Sequence, residues 1–198
     1  MLEAVNPLQM PDLLRRPHAD QTGYSLLELV FVIALIGTLG GMAVMQMGAI
    51  RPVIQGDSAM RVVMGQLNLA RERAIAHRRI VEVTFVGSNS VRLTQHDLPS
   101  GTTEISTVPF EGRVQFGLLP GVPDTPDAFG NGAPIQFTSA TLLFNTDGVM
   151  VNALGAPVNG TVFLLIPNER LSFRAVTVLG STGRVRGYRW SGAAWTRG

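Results

Sequence analysis

The sequence predicts an α+β protein, in which one long N-terminal helix precedes a domain of short antiparallel strands. Three observations carry this. No charged residue lies between Glu28 and Arg51, which leaves 22 uncharged and mostly apolar residues, Leu29 to Ile50. Apolar residues then recur at helical spacing from Met60 to Ala74. From Ile80 onward the period changes to alternation, interrupted by clusters of Gly, Asn and Asp that read as turns.

The 198 residues suit one modest domain plus a helical anchor, and the 45% hydrophobic content is enough for a sizeable core. Cysteine is absent, so neither a disulfide nor a thiolate metal site exists. All 16 basic side chains are arginine, which reads first as a genome composition bias. A net charge of +2 does not by itself predict a polyanion partner.

Residues 1–23 read as a polar leader, with Met10 as an alternative start. Arg15 and Arg16 favour a cytoplasmic leader, but Arg51 and Arg61 follow the apolar run, so arginine counts alone do not orient it. Residues 24–50 form the spanning segment. As a helix, Leu29–Ile50 extends about 33 Å, against a hydrocarbon core of about 30 Å. An ordinary secretory signal has a shorter apolar region, although Met47-Gly48-Ala49 offers a small-residue site after it. A plain anchor explains the length but not Glu28. A buried core helix seldom runs this far without a charge. Gly37 and Gly41 form a small-xxx-small pair that permits close approach of membrane helices. A carboxylate at the start of such a segment needs a partner.

Residues 51–79 continue as an amphipathic helix. Pro52 and Gly56 are expected to break or bend it, and Asp57 or Ser58 to cap a second helical segment. The apolar stripe is Met60, Val63, Met64, Leu67, Ala70 and Ala74. Arg61, Arg71, Glu72, Arg78 and Arg79 lie opposite, and the end is expected near Arg78 or Arg79.

Residues 80–198 form the antiparallel domain, expected to hold six to nine strands. Ile80–Val86 and Val91–Thr94 read as a hairpin around Gly87-Ser88-Asn89. Residues 98–134 hold six of the twelve prolines and read as mostly loop, either a partner-facing insertion or a solvated one, with a short strand near Val114–Leu118. Thr141–Phe144 and Val149–Val151 flank the turn Asn145-Thr146-Asp147-Gly148. Thr161–Ile166 is apolar throughout and reads as central. Phe173–Val178 and Arg184–Trp190 form a last hairpin around Gly180-Ser181-Thr182-Gly183.

Gly23-Tyr24-Ser25-Leu26-Leu27-Glu28-Leu29 with its apolar run resembles the class III signal of type IV prepilins and type II secretion pseudopilins. Tyr24 stands where that family usually has Phe. Phe144-Asn145-Thr146-Asp147-Gly148, the apolar strand and Gly183-Arg184-Val185-Arg186 are similar to the GspH/FimT family of minor pseudopilins and minor pilins. The resemblance implies a pilin-like fold, with a long N-terminal helix packed on two antiparallel sheets. It implies cleavage by a prepilin peptidase between Gly23 and Tyr24, N-methylation of Tyr24, and pairing of Glu28 with a neighbouring subunit's terminal amine. The partners implied are other major and minor pseudopilins or pilins, an inner-membrane assembly platform and membrane lipid. The chain would pass once through the inner membrane, with its globular domain periplasmic.

No enzymatic site and no cofactor are expected. His18, His77 and His96 are far apart and lack metal-ligand spacing. Asn145, Asp147 and Asn152 invite comparison with the calcium loop of major pseudopilins but supply too few carboxylates. Near the C-terminus, Arg184, Arg186, Arg189 and Arg197 sit among Tyr188, Trp190 and Trp195. Alternation puts Arg184, Arg186 and Tyr188 on one strand face. Guanidinium forks suit phosphates and aromatics stack on bases. The match to a G-R-x-R motif of competence-type minor pilins implies DNA as a partner. A protein contact at a filament tip is the competing use.

Overall fold

The computed structural model describes residues 23–198. The expectations on the leader, including Met10, Arg15, Arg16 and His18, lie outside these residues. The chain divides between Ala43 and Val44 into two units.

Helix α1 covers Leu26–His77. Ser25 starts it: its Oγ accepts the Leu27 N–H at 3.3 Å and its carbonyl accepts the Leu29 N–H at 3.1 Å. Within the first unit every described side chain is exposed, and Leu26–Ala43 is apolar enough to cross a membrane, with a mean hydropathy of 2.2.

In the second unit α1 runs on through Pro52 and Gly56, so of the break or bend expected from sequence the break does not occur. The ring's φ is already helical, so Pro52 forfeits one backbone bond without reversing the chain. Gly56 serves close packing instead, because a Cβ there would collide with the Ser172 carbonyl. Asp57 does not cap a new helix either. It is an ion-pair partner, described below. The helix stops at His77, where Arg78 adopts φ 51° and the Arg79 N–H reaches back to the Ala74 carbonyl at 3.2 Å, a Schellman-type end.

Among the described residues eleven strands come after the helix, two more than the upper expectation, in two antiparallel sheets. The first sheet contains β1 (Val81–Val86), β2 (Ser90–His96), β3 (Thr102–Pro109), β6 (Leu143–Phe144) and β7 (Met150–Val151), in the order β3-β2-β1-β6-β7. The second contains β4 (Gln115–Phe116), β5 (Ile135–Phe137), β8 (Gly160–Ile166), β9 (Glu169–Leu179), β10 (Arg184–Trp190) and β11 (Trp195–Arg197). Its order is β11-β10-β9-β8-β4, with β5 also on β8. β3 falls in the stretch expected to be loop. It pairs with β2 along its whole length but is an exposed edge. Its sequence, TTEISTVP, therefore shows no apolar alternation, as suits an edge strand.

The stripe on α1 forms the main core. Met60, Val63, Leu67, Ala70 and Ala74 are buried and Met64 is half-buried, against Val83, Leu93 and Phe144 of the first sheet and Val162, Leu164 and Val176 of the second. A smaller core lies on the other face of the second sheet, where Phe163, Phe173, Ala175, Tyr188 and Trp190 pack under Val122 and Leu118 of the 117–134 segment. Both faces of β8 and β9 are thus covered. This is why β8 reads as a continuous apolar run, and it is an interior strand as its sequence implies.

Two successive turns repeat one design. Asn145 Oδ1 accepts the N–H groups of Asp147 and Val149 at 3.0 and 2.9 Å, and Asn152 Oδ1 accepts those of Leu154 and Ala156, both at 2.9 Å. Gly148 and Gly155 close them at φ 75° and 79°, the left-handed region that favours glycine. Both amide oxygens are thus engaged by the backbone of their own turns.

Candidate functional site

Two regions hold the residues singled out in the sequence. In the first unit, Tyr24, Glu28, Leu29 and Val32 line one shallow groove along the start of α1. Glu28 sits in the first helical turn, where the backbone dipole favours an anion by about 0.3–1 kcal/mol. No ion-pair partner for it is present among the described residues. Gly37 and Gly41 face open space.

The second region is β10. A side chain at Gly183 would strike the Gly148 carbonyl, and a Cβ at Gly187 would lie 2.8 Å from the sulfurs of Met60 and Met64. The glycines on either side of Arg184-Val185-Arg186 therefore hold β10 against the 145–148 turn and α1. Arg184 is exposed. Arg186 and Tyr188 do share a face with it, but they do not form an open cationic surface. Both bind Asp127, with Arg186 Nη1 at 2.8 Å from Oδ1 and the Tyr188 hydroxyl at 2.9 Å from Oδ2. Thr177 donates to the same Oδ2 at 2.6 Å. Burial pushes the Asp127 carboxyl up, but the Thr177 and Tyr188 hydrogen bonds and the Arg186 charge outweigh it and hold the group below the usual carboxylate range. Burial, and then Asp127, push the Tyr188 phenol above its ordinary value.

Asp127 is the residue that sequence reasoning missed. It lies in the proline-rich stretch, which corrects the picture of a partner-facing or solvated loop: residues 117–134 strap the second core. Trp195 Nε1–H donates to the Pro123 carbonyl at 2.8 Å, and Asp124 accepts the Thr125 and Gly130 N–H groups, both at 2.6 Å. Nothing local signals Asp127. Its partners lie 50 to 61 residues along the chain.

Arg189 turns to the other face and approaches Asp57 at 2.9 Å. The contact is an ion pair without hydrogen-bond alignment, since Arg189 Nε has no hydrogen-bond acceptor. Asp57 is held more firmly by Arg174, whose side chain is 2% exposed and whose Nε lies at 2.6 Å. The rest of that guanidinium donates to the carbonyls of Leu171, Phe173 and Val53 at 2.7, 2.9 and 3.2 Å. Arg197 is exposed on β11.

His96 pairs with Glu82 at 3.1 Å, and His77 lies 3.5 Å from Arg73. Among the described residues no group of three His, Asp or Glu side chains converges on a metal position.

No family model matches the chain, and no curated protein matches it. Among solved structures it is similar to the type IV minor pilin FimU of Pseudomonas aeruginosa strain PAO1, with 12% identity over 71% of this chain and 91% of that one and a TM-score of 0.46. It is also similar to the minor pseudopilin EpsH of the Vibrio cholerae type II secretion system, with 13% identity over 68% of this chain and 97% of that one and a TM-score of 0.46.

Proposed function

We propose that this chain is a minor pseudopilin, a structural subunit that enters the short filament of a type II secretion system through its N-terminal helix and supports protein export. The observation that carries the reading is a lone carboxylate, Glu28, at the head of an uncharged apolar helix whose side chains are all exposed through residue 43. Between Leu26 and Met42, eleven large apolar side chains are 45–81% exposed. At about 1.5–3 kcal/mol per fully buried side chain, covering them is worth on the order of 10–20 kcal/mol. A carboxylate within the bilayer opposes this by about 3 kcal/mol at the midplane on insertion scales, and by less near the interface. Lipid therefore takes the segment with Glu28 in place, and the unpaired carboxylate favours a partner that brings a positive charge.

In this reading the peptidase cuts after Gly23, Tyr24 becomes the methylated terminus, and the amine of one subunit meets Glu28 of the next. Tyr24 and Glu28 lining the same groove supports the pairing of those two sites between copies. The α+β domain then stands on the periplasmic side. The same N-terminal chemistry serves a minor pilin of the FimT/FimU kind in a type IV pilus. The neighbouring genes, secretion or pilus components, separate the two machines.

The test is a Glu28→Ala variant expressed with the rest of the machine. Membrane insertion and cleavage should be unchanged, while the amount recovered in sheared filaments should fall at least tenfold. Normal incorporation removes the assembly role of Glu28. Intact mass of the extracted protein should begin at N-methylated Tyr24. A mass that retains residues 1–23, or that lacks the apolar segment as well, ends the reading.

A further inference from the structure

Contacts along α1 fix the height of the second sheet. A Cβ at Gly56 would meet the Ser172 carbonyl, and one at Gly183 would touch the Arg71 side chain. From Ser172 to Leu179, just before that turn, β9 advances about 23 Å. From Gly56 to Arg71 the helix rises about 22 Å. β9 therefore climbs beside α1, nearly parallel to it. Followed the other way, β9 begins at the two-residue turn Pro167-Asn168, closed by the pairing of Ile166 with Glu169. Asn168 takes φ 69° there, as the second position of such a turn requires. The turn lies about 13–16 Å below Ser172, level with helix residues at about 45–47. The uncharged run does not end until Ile50, so the tip of the second sheet reaches past Arg51 and stands beside charge-free helix.

The groups gathered at this end suit phosphate. A cleft of about 350 Å³ opens between the Pro167-Asn168 turn, Ser88, Asn89 and Arg113. It too lies low on the helix, since a Cβ at Gly112 would come within 2.7 Å of the Gln55 side chain. Arg51, Arg113 and Arg170 are exposed, and none has an ion-pair partner among the described residues. Two carboxylates, Glu111 and Glu169, share the same end, so three guanidiniums exceed them by a single charge. The attraction is therefore to individual phosphate groups, which a guanidinium fork grips through two parallel hydrogen bonds, and not to surface charge at large.

We propose that this end of the domain is a membrane foot, in which the β8–β9 turn seats among phospholipid headgroups and Arg113 and Arg170 hold their phosphates. The inference rests on the membrane-spanning reading of the helix, which puts the lipid boundary at about Ile50. Whatever surrounds the helix at residues 45–50 also meets a turn standing at the same height. For a spanning helix that surrounding is the headgroup layer, and Arg51 enters it from the helix itself. The foot gives the domain a second attachment to the bilayer besides its helix, one that must release when the subunit leaves the membrane for a filament.

The chain holds no cysteine, so Pro167→Cys and Ser181→Cys each provide one site for a bimane label. The first lies at the tip, and the second is exposed on the turn level with Arg71. The full chain is reconstituted in vesicles of phosphatidylethanolamine and phosphatidylglycerol that carry a headgroup-nitroxide lipid. Quenching at position 167 should exceed that at position 181 at least threefold. It should fall at least twofold when Arg113→Gln and Arg170→Gln are combined, a change confined to exposed side chains. Equal quenching at the two positions, or quenching that the double substitution leaves unchanged, overturns the foot and leaves the span standing. A chain that a carbonate wash strips from the vesicles overturns the span and the foot together.

Discussion

Replacing Asp57 by Ala tests how α1 is fastened to the second sheet. The substitution leaves Arg174, 2% exposed, with three carbonyl acceptors but no counter-charge. Breaking a buried pair from one side costs about 3–5 kcal/mol, because the remaining charge stays desolvated. Arg189 is 43% exposed and returns to water, so its share of the loss is about 0–1 kcal/mol. A double-mutant cycle separates the two. Asp57→Ala combined with Arg174→Met should show a coupling of about 2–3 kcal/mol, and Asp57→Ala combined with Arg189→Met less than about 1 kcal/mol. Urea unfolding of the detergent-solubilised chain, read by the fluorescence of Trp190 and Trp195 in the smaller core, gives each value. If Asp57→Ala costs under about 1 kcal/mol, or the two couplings are equal, the buried guanidinium is not what anchors the helix.

The Asp127 cluster leads to two further expected outcomes. The folded Asp127 carboxyl titrates below its ordinary value of 3.8, so its contribution is fully present above that value and is lost as pH falls through the folded one. Acid titration should therefore loosen the strap, read as a change in Trp195 fluorescence, with a steeper fall in stability for the wild type than for Asp127→Asn; equal slopes would contradict the assignment. Because Arg186 is engaged by Asp127, gel shifts with duplex DNA at 150 mM salt, about the physiological level, should show no binding that depends on Arg186. A salt-sensitive shift that disappears in Arg186→Ala would instead support the DNA-receptor alternative.

Much of the architecture was legible because it is written at short range. The stripe Met60, Val63, Leu67, Ala70 and Ala74, the hairpins around Gly87 and Gly183 and the Asn145 turn each depend on residues within a few positions of one another. The charge-free run after Glu28 needs only counting. These periodicities determined a membrane-length helix and an α+β domain, with β8 inside its sheet.

The tertiary structure alone decided what the polar side chains do. Asp57, by its local pattern a helix cap, meets Arg174 from 117 residues away. Asp127, by its local pattern a loop residue, turns a cationic strand face into an internal latch. Gly56 and Gly183, by theirs a breaker and part of a binding motif, are points of close contact. A charge or a missing Cβ acts through whatever the fold brings within a few ångströms, and no local pattern encodes that neighbour.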